Sequence, residues 1–136
     1  MKAGALVDGR FELGPSAGSG AMGVVYRAMD VTTKSFVALK ILRPQLSELE
    51  DRFTREAEVL RDLNHPGIVA YIAHGKTTDG DSYLAMEWLD GETLAARLKR
   101  GVLTIDEGIK LVGRVAEALY AAHQQGMVHR DIKPGN

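Results

Sequence analysis

The sequence of 136 residues contains no cysteine, which excludes a disulfide framework and a thiolate metal site. It also lacks an excess of charge of one sign, because its formal net charge is −1, whereas a nucleic-acid-binding face requires a basic excess. No segment approaches the run of about 18 apolar residues that a membrane span needs, and the N-terminus has no apolar run typical of a signal peptide. We therefore expect a cytoplasmic globular domain with no membrane segment and no nucleic-acid partner.

The first two thirds of the chain has the residue pattern of an antiparallel sheet with one helix. Segments rich in β-branched and aromatic residues predict three strands between Phe11 and Leu42, with an edge or a bulge at Pro15. A capping box at Ser47–Glu50 predicts a helix that ends at 64–67, and a strand hairpin is expected over 68–89. These elements indicate an α+β fold with a five-stranded antiparallel sheet and one long helix.

The last third has the pattern of helices. A short helix is expected around Thr93–Arg100, before Gly101. A second capping box, Thr104 with Glu107, predicts a longer helix that ends at Gly126. The residues predicted to point inward on this helix are apolar: Ile105, Val112, Val115, Ala118, Leu119 and Ala122.

Three glycines form the pattern G-x-G-x-x-G-x-V in "GSGAMGVV". Gly18, Gly20 and Gly23 would let the backbone approach phosphate oxygens closely. The residues that follow predict a strand and not a helix, which argues against a dinucleotide-binding turn and for a hairpin lid. A glycine-rich hairpin without a ligand is the alternative.

Lys40 and Glu56 are candidates for an ion pair between the sheet and the helix. Strand alternation places Lys40 on the same face as Ala38, where its ammonium group could bind phosphate oxygens. Glu56 lies about 60° from Phe53 around the helix, inside the apolar stripe, so its carboxylate needs a charged partner. The alternatives are a lysine that extends along the surface and a solvated pair of Glu56 with Arg52.

The last eight residues, "HRDIKPGN", combine Asp131, Lys133 and Asn136 in one loop. An aspartate can accept a hydroxyl proton, a lysine can neutralise a phosphoryl group, and an asparagine oxygen can bind Mg²⁺. The alternative is a turn held by local hydrogen bonds from side chains to the backbone.

In this order, the glycine-rich hairpin, the strand lysine, the helix glutamate and the final loop resemble the motifs of a protein kinase. Residues 10–136 resemble the N-terminal half of a bacterial serine/threonine kinase domain. The similar segments are GSGAMGVVYRA, REAEVL, HPGIV, MEWLDGETL and VHRDIKPGN. The resemblance implies a protein-kinase-like fold with a tail over 1–9, an N-lobe and hinge over 10–89, and the start of a helical C-lobe over 90–136.

The resemblance implies ATP and Mg²⁺ as cofactors and proteins with serine or threonine as substrates. Gly18, Gly20 and Gly23 would cover the phosphates, and Lys40 would hold the α- and β-phosphates and pair with Glu56. The residues implied around adenine are Val25 and Ala38 in the roof, Met86 at the back, and Glu87 and Leu89 in the hinge.

In the loop, the resemblance implies that Asp131 is the catalytic base, Lys133 contacts the γ-phosphate and Asn136 binds Mg²⁺. His129 would be structural, and Arg130 would meet a phosphorylated activation loop. Gly67 stands where the family often has asparagine, a loop change of little expected weight.

The sequence holds no DFG motif, activation segment or later kinase helices. From this we expect a truncated kinase whose 136 residues alone are inactive and poorly stable. A non-catalytic nucleotide-binding or interaction fragment is the alternative function. Nothing in the pattern indicates the oligomeric state, the protein substrate or the activating signal.

Overall fold

The computed structural model describes residues 2–20, 23–42 and 47–135. The chain divides into two compact units. The first unit consists of Met1–Asp62 and Val69–Leu89, and the second of Leu63–Ile68 and Asp90–Asn136.

The first unit is an antiparallel sheet with one helix. Six strands are present in the described residues, in the spatial order β1-β2-β3-β4-β6-β5. The strands are β1 (Leu6–Val7), β2 (Phe11–Gly20), β3 (Gly23–Asp30), β4 (Ser35–Leu42), β5 (Tyr71–Lys76) and β6 (Ser82–Glu87), and helix α1 (Ser47–Asp62) lies between β4 and β5 in the chain. The predicted α+β class and the order of the elements are confirmed, while the side chain of Ser47 in the first capping box lies outside the described residues.

The sheet has one strand more than the five predicted, because β1 lies in the predicted tail over 1–9 and pairs with β2. Val7 is 2% exposed because it packs in the core of the sheet. The Tyr83 hydroxyl donates a hydrogen bond of 2.5 Å to Asp8, and burial together with this bond raises the pKa of Tyr83. A two-residue strand is too short for its alternation to be visible in the sequence, and its pairing comes from these tertiary contacts.

The strand β2 changes register near Pro15. Its pairing with β3 shifts between Leu13 and Ser16, as expected where a proline has no N–H to donate to a ladder. The bulge predicted at Pro15 is therefore confirmed.

The two faces of the sheet carry two separate hydrophobic clusters. The first cluster contains Val7, Phe11, Leu13, Ala28, Val37, Leu39, Ile41, Tyr83 and Ala85. On the other face, Phe53 and Ala57 of α1 pack with Leu42 and Leu84. Since side chains alternate along a strand, Lys40 lies on the same face as Leu42, the face that α1 covers.

The second unit contains two helices, α2 (Leu94–Leu98) and α3 (Ile105–Gln124). The Thr93 side chain caps α2, and Thr104 and Glu107 form the reciprocal capping box predicted for α3. Gly126, with φ of 74°, follows the end of α3 where a left-handed residue is favourable.

The residues that α3 buries differ from those predicted to be buried. Ala122 is 7% exposed, but Ile105 and Val112 are 83% and 67% exposed, and Val115 is also exposed. The prediction was wrong for these three residues, because apolar positions occur around most of the helix and periodicity alone does not distinguish the packed side. In the part of the chain that the structure describes, no helix is both long and apolar enough to span a membrane.

The segment Leu63–Ile68 packs against α3 within the second unit. A β-carbon added at Gly67 would lie 3.2 Å from the β-carbon of Ala118 and 3.2 Å from Nδ1 of His65. That nitrogen also accepts a hydrogen bond of 3.0 Å from the Gly67 N–H. Gly67 therefore lies at a close contact with a helix.

Candidate functional site

The glycine-rich segment forms the hairpin of β2 and β3, in which Gly18 pairs with Val25 and Gly20 with Gly23. A β-carbon at Gly18 or Gly20 would meet no atom within 4 Å, so both glycines border open space. A β-carbon at Gly23 would overlap the carbonyl oxygen of Ile41. Glycine is therefore required at 23 by packing on β4, while Gly18 and Gly20 leave room for a ligand to approach the backbone.

Cross-strand pairing brings four of the predicted residues onto one face of the sheet. Lys40 pairs with Val25 on one side and with Leu84 on the other, and Ala38 pairs with Met86. Directly opposed residues of antiparallel strands point to the same face. Val25, Ala38 and Met86 thus form a partly buried apolar surface beside the ammonium group of Lys40. This arrangement suits a ligand with a flat ring and an anionic group. The ring would lie on the apolar surface and the anionic group near Lys40.

Lys40 and Glu56 form the ion pair that the sequence predicts. Lys40 Nζ lies 3.8 Å from Glu56 Oε1, which is close enough for an ion pair but too long for a good hydrogen bond. The Lys40 ammonium also lies 5.6 Å from the ring centroid of Phe53, within the range of a cation–π contact.

The burial predicted for Glu56 was wrong. Its side chain is 48% exposed, compared with 21% for Lys40, and the residues that α1 buries here are Phe53 and Ala57. Glu56 lies at the edge of the buried stripe, because a displacement of about 60° around a helix is enough to bring a long side chain to solvent. The alternative partner, Arg52, has a side chain outside the described residues.

The predicted hinge residues lie at the end of β6 and just after it. Glu87 is the last residue of this strand, and Leu89 lies two residues further on. The Glu87 N–H donates a hydrogen bond of 2.9 Å to the Ala70 carbonyl, which ties the end of β6 to the residue before β5. Leu89 is 64% exposed. The chain is therefore anchored at Glu87 and open to solvent at Leu89.

The loop that contains the predicted catalytic residues has a defined backbone. Arg130 has a φ of 63°, which is uncommon for a residue other than glycine. The Asp131 N–H donates to His129 Nδ1 at 3.2 Å, so His129 supports the turn. This contact agrees with a structural part for His129.

Two further contacts hold the same loop. Lys133 Nζ lies 2.9 Å from Asp131 Oδ2, and both side chains are more than half exposed. The Pro134 carbonyl accepts a hydrogen bond of 2.7 Å from the Ala95 N–H in the first turn of α2. That N–H is one of the donors that a helix leaves unpaired at its N-terminus. The loop is therefore tied to α2, with its aspartate and lysine accessible.

The predicted Mg²⁺ ligand Asn136 lies outside the described residues. Within residues 2–20, 23–42 and 47–135, no three histidine, aspartate or glutamate side chains come together as a metal-binding group. Asp131 is the carboxylate that the described part of the loop offers.

Glu50, predicted only as part of a helix cap, also contacts the sheet. Glu50 Oε1 accepts a hydrogen bond of 2.9 Å from the Ser82 hydroxyl and pairs with the Lys76 ammonium. A serine and a lysine at the turn of a hairpin look like ordinary surface residues. No periodicity in the sequence indicates that they meet a helix that precedes them in the chain.

Comparison with known proteins gives consistent matches. Residues 11–136 match the family model described as protein kinase domain. The serine/threonine-protein kinase PknJ of Mycobacterium tuberculosis is 38% identical over all of this chain and 23% of its own length. A probable serine/threonine-protein kinase of Streptomyces coelicolor, SCO3848, is 42% identical over 96% of this chain and 20% of its own length.

The fold is also similar to that of a solved structure. The crystal structure of the Mycobacterium tuberculosis PknI kinase domain has a TM-score of 0.85 and 34% identity, and the match covers all of this chain and 56% of that one. The chain thus spans between about a fifth and a third of the length of the curated relatives it matches and a little over half of the solved domain.

Proposed function

Because the chain belongs to the protein kinase domain family, we propose that the protein transfers the γ-phosphoryl group of ATP to serine and threonine hydroxyls of other proteins. The observation that carries this proposal is the Lys40–Glu56 ion pair, on the sheet face that also bears Val25, Ala38 and Met86. Similar proteins named serine/threonine-protein kinases support the same substrate class. The related proteins are longer, and the proposal concerns the whole protein that carries this chain.

The domain organisation that we propose follows the family. Residues 10–89 supply the N-lobe and hinge, and residues 90–136 supply the start of the C-lobe. The boundary between the two compact units after Leu89 supports this proposal, although Leu63–Ile68 groups with the second unit. A cytoplasmic location for the domain, where ATP and protein substrates are available, belongs to the same proposal.

The first unit would hold ATP. Gly18 and Gly20, with open space beside them, would let backbone N–H groups approach the phosphates, and Lys40 would contribute a positive charge for the α- and β-phosphates. The residues proposed around adenine are Val25, Ala38 and Met86 by apolar contact, and Glu87 and Leu89 by their backbone. These donors and apolar surfaces fit a nucleotide, because they combine one cation with a partly buried apolar face.

The second unit would act on the substrate hydroxyl. Asp131 would accept the proton of the serine or threonine hydroxyl, and Lys133 would contact the γ-phosphate. Asn136 would bind Mg²⁺, which supplies positive charge that neutralises the phosphoryl oxygens. The hydrogen bond between the Asp131 N–H and His129, together with the left-handed backbone at Arg130, would fix the orientation of Asp131.

The hydrogen bond from Ala95 to Pro134 supports this assignment, because it fixes the loop on the side of Lys133 away from Asp131. The Lys133–Asp131 pair is solvent-exposed and therefore weak, so a phosphate group can compete for the lysine at little cost.

The test is to incubate the full-length protein with labelled ATP, Mg²⁺ and a generic basic protein, and then to identify the phosphorylated amino acids after hydrolysis. The expected result is phosphoserine and phosphothreonine that require Mg²⁺. Label found only on tyrosine, or nucleotide binding without any transfer by the full-length protein, would contradict the proposal.

A further inference from the structure

Two carboxylates of α1 contact the sheet from opposite sides of its buried stripe. At about 100° per residue, Glu50 lies about 60° from Phe53 in one direction and Glu56 about 60° in the other. Glu50 contacts Ser82 and Lys76 on β6 and β5, and Glu56 contacts Lys40 on β4. The two contacts therefore lie at different strands, with Glu50 in the first turn of the helix and Glu56 just past its middle.

The contact at Glu50 is the tighter of the two. Its Oε1 accepts from the Ser82 hydroxyl at 2.9 Å, and Ser82 is 6% exposed. The same oxygen pairs with Lys76. Lys76 and Glu50 are themselves 58% and 38% exposed, so the tighter contact of Glu50 is its hydrogen bond with Ser82. The Lys40–Glu56 pair is 3.8 Å long, with side chains 21% and 48% exposed. An exposed pair of this length contributes little by itself, so it does not fix the orientation of the helix.

The two donors to Glu50 are preorganised by the hairpin. Lys76 and Ser82 are directly opposed residues at the end of the β5–β6 ladder. The Thr77 N–H donates to the Asp81 carbonyl at 2.8 Å, and Gly80 takes a φ of 87° in the turn that follows. The hairpin backbone thus places both side chains on the same face of the ladder, beside one carboxylate.

We propose that Glu50 is a positioning residue, whose contacts with Ser82 and Lys76 fix the rotation of α1 about its own axis and so keep Glu56 within reach of Lys40. This inference rests on the proposed function, in which Lys40 and Glu56 serve the nucleotide. A rotation of about 30° moves a side chain about 5 Å from the helix axis by about 2.6 Å. Such a movement would break the Glu50–Ser82 hydrogen bond and change the Lys40–Glu56 distance together.

The first experiment measures the rotation without any nucleotide. The chain has no cysteine, so spin labels can be attached at Arg55→Cys on α1 and Thr33→Cys in the β3–β4 turn, both exposed residues of the first unit. We expect Glu50→Ala to broaden the distance distribution between the labels or shift it by about 2–3 Å. The control Glu58→Gln, an exposed acid on the same helix, should leave the distribution as in the parent.

An unchanged distribution in Glu50→Ala would overturn the inference. If Glu50→Ala fails to fold, the double variant Lys76→Ala, Ser82→Ala removes the same contacts from the sheet side. It is expected to give the same broadening, and an unchanged distribution there would also overturn the inference.

The second experiment asks whether Glu50 acts through Glu56. We expect Glu50→Ala to weaken ATP binding about fivefold and adenosine binding less than twofold, because adenosine has no phosphates for Lys40. In a Glu56→Gln background the same change should have no further effect on ATP affinity. Losses that simply multiply in the double variant would show that Glu50 acts independently, which contradicts the proposal.

The two experiments separate this inference from the proposed function. If the parent binds neither ATP nor adenosine, the proposed function fails, and the spin-label distances still decide whether Glu50 sets the rotation of α1.

Discussion

Asp30 and Arg10 form a two-point ion pair, in which Arg10 Nη2 lies 2.7 Å and Arg10 Nε lies 3.1 Å from Asp30 Oδ2. Asp30 is 1% exposed and also accepts a hydrogen bond of 2.9 Å from the Thr32 N–H. The pair ties the end of β3 to the residue before β2. A buried carboxylate at this position depends on the guanidinium for its charge.

The first prediction concerns acid stability. Hydrogen bonding from Arg10 lowers the pKa of Asp30 from 3.8 to about 2. Because the folded pKa lies below the unfolded one, the carboxylate stabilises the fold above about pH 4, and this contribution is lost as the pH falls towards 2. We expect Asp30→Asn to lower the free energy of unfolding by about 2 kcal/mol at neutral pH and to flatten its dependence on pH between about 4 and 2.

Denaturant unfolding at a series of pH values measures this effect, and Asp79→Asn, at an exposed turn, is the matched control. An Asp30→Asn variant whose stability falls with acid as steeply as that of the parent would show that Asp30 does not cause the dependence.

The second prediction separates the glycines of the β2–β3 hairpin. Gly23→Ala places a methyl group against the Ile41 carbonyl oxygen and is expected to destabilise the protein by about 2 kcal/mol. Gly20→Ala has open space and should leave the melting temperature nearly unchanged while weakening ATP binding. Thermal melts and nucleotide titrations of both variants test the prediction. Equal losses of stability in the two would contradict the difference that the structure shows.

The third prediction concerns Lys40. Lys40→Ala removes the cation beside the apolar face of Val25 and Ala38, so we expect ATP to bind about tenfold more weakly. Adenosine affinity should change by less than about twofold, because adenosine has no phosphate group. Calorimetric titration of both ligands measures the ratio, and Lys110→Ala, at an exposed position of α3, is the control. A parallel loss for ATP and adenosine would mean that Lys40 supports the fold and not the phosphates.

The fourth prediction concerns Asp131 in the full-length protein. Asp131→Asn keeps the size of the side chain but removes the base, so turnover should fall about a hundredfold or more. ATP affinity should stay within about threefold of the parent, because the proposed partner of Asp131 is the substrate hydroxyl. Turnover and ATP affinity, each measured for the parent and the variant, test this prediction. Turnover within a few-fold of the parent is incompatible with the assignment of Asp131 as the base.

The fifth prediction concerns an exposed apolar stripe on α3. Ile105, Ile109, Val112 and Tyr120 follow one another at helical spacing and are each more than 60% exposed. Such a stripe promotes association, so we expect the chain of 136 residues to form oligomers at micromolar concentrations. Replacing Ile109 and Val112 by glutamate should shift it towards the monomer and change its stability by about 0.5 kcal/mol or less.

Sedimentation of the parent and the Ile109→Glu, Val112→Glu variant at several concentrations tests this expectation. Lys110→Glu changes the charge of α3 at an exposed polar residue and serves as the control. Equal sedimentation of all three proteins would show that the stripe does not associate.

Local patterns in the sequence predicted most of the fold. Alternation of apolar residues gave the strands β2 to β6, and the capping box of Thr104 and Glu107 marked the start of α3. Strand parity also predicted that Lys40 shares a face with Ala38, because it depends only on the position of Lys40 relative to Val37 and Leu39. These signals lie within a few residues of the feature that they predict.

The errors arose where tertiary packing decides the outcome. β1 has two residues, and its pairing depends on Val7 reaching the core and on the Asp8–Tyr83 hydrogen bond. The burial of Glu56 was wrong because the helical wheel gives an angle but not the width of the buried stripe. The contact of Glu50 with Ser82 joins residues 32 positions apart, and no local pattern reports it.

Because Gly67 lies close to Ala118, the residue types that fit at one of these positions depend on the residue at the other. A larger residue at 67 would press on the Ala118 β-carbon, and the same space would be needed by any side chain larger than alanine at 118. An asparagine at 67 would therefore require the 63–68 segment and α3 to move apart by a few tenths of an ångström. Across related sequences the two positions should covary, and an exchange at 67 alone should be tolerated less well than a paired exchange.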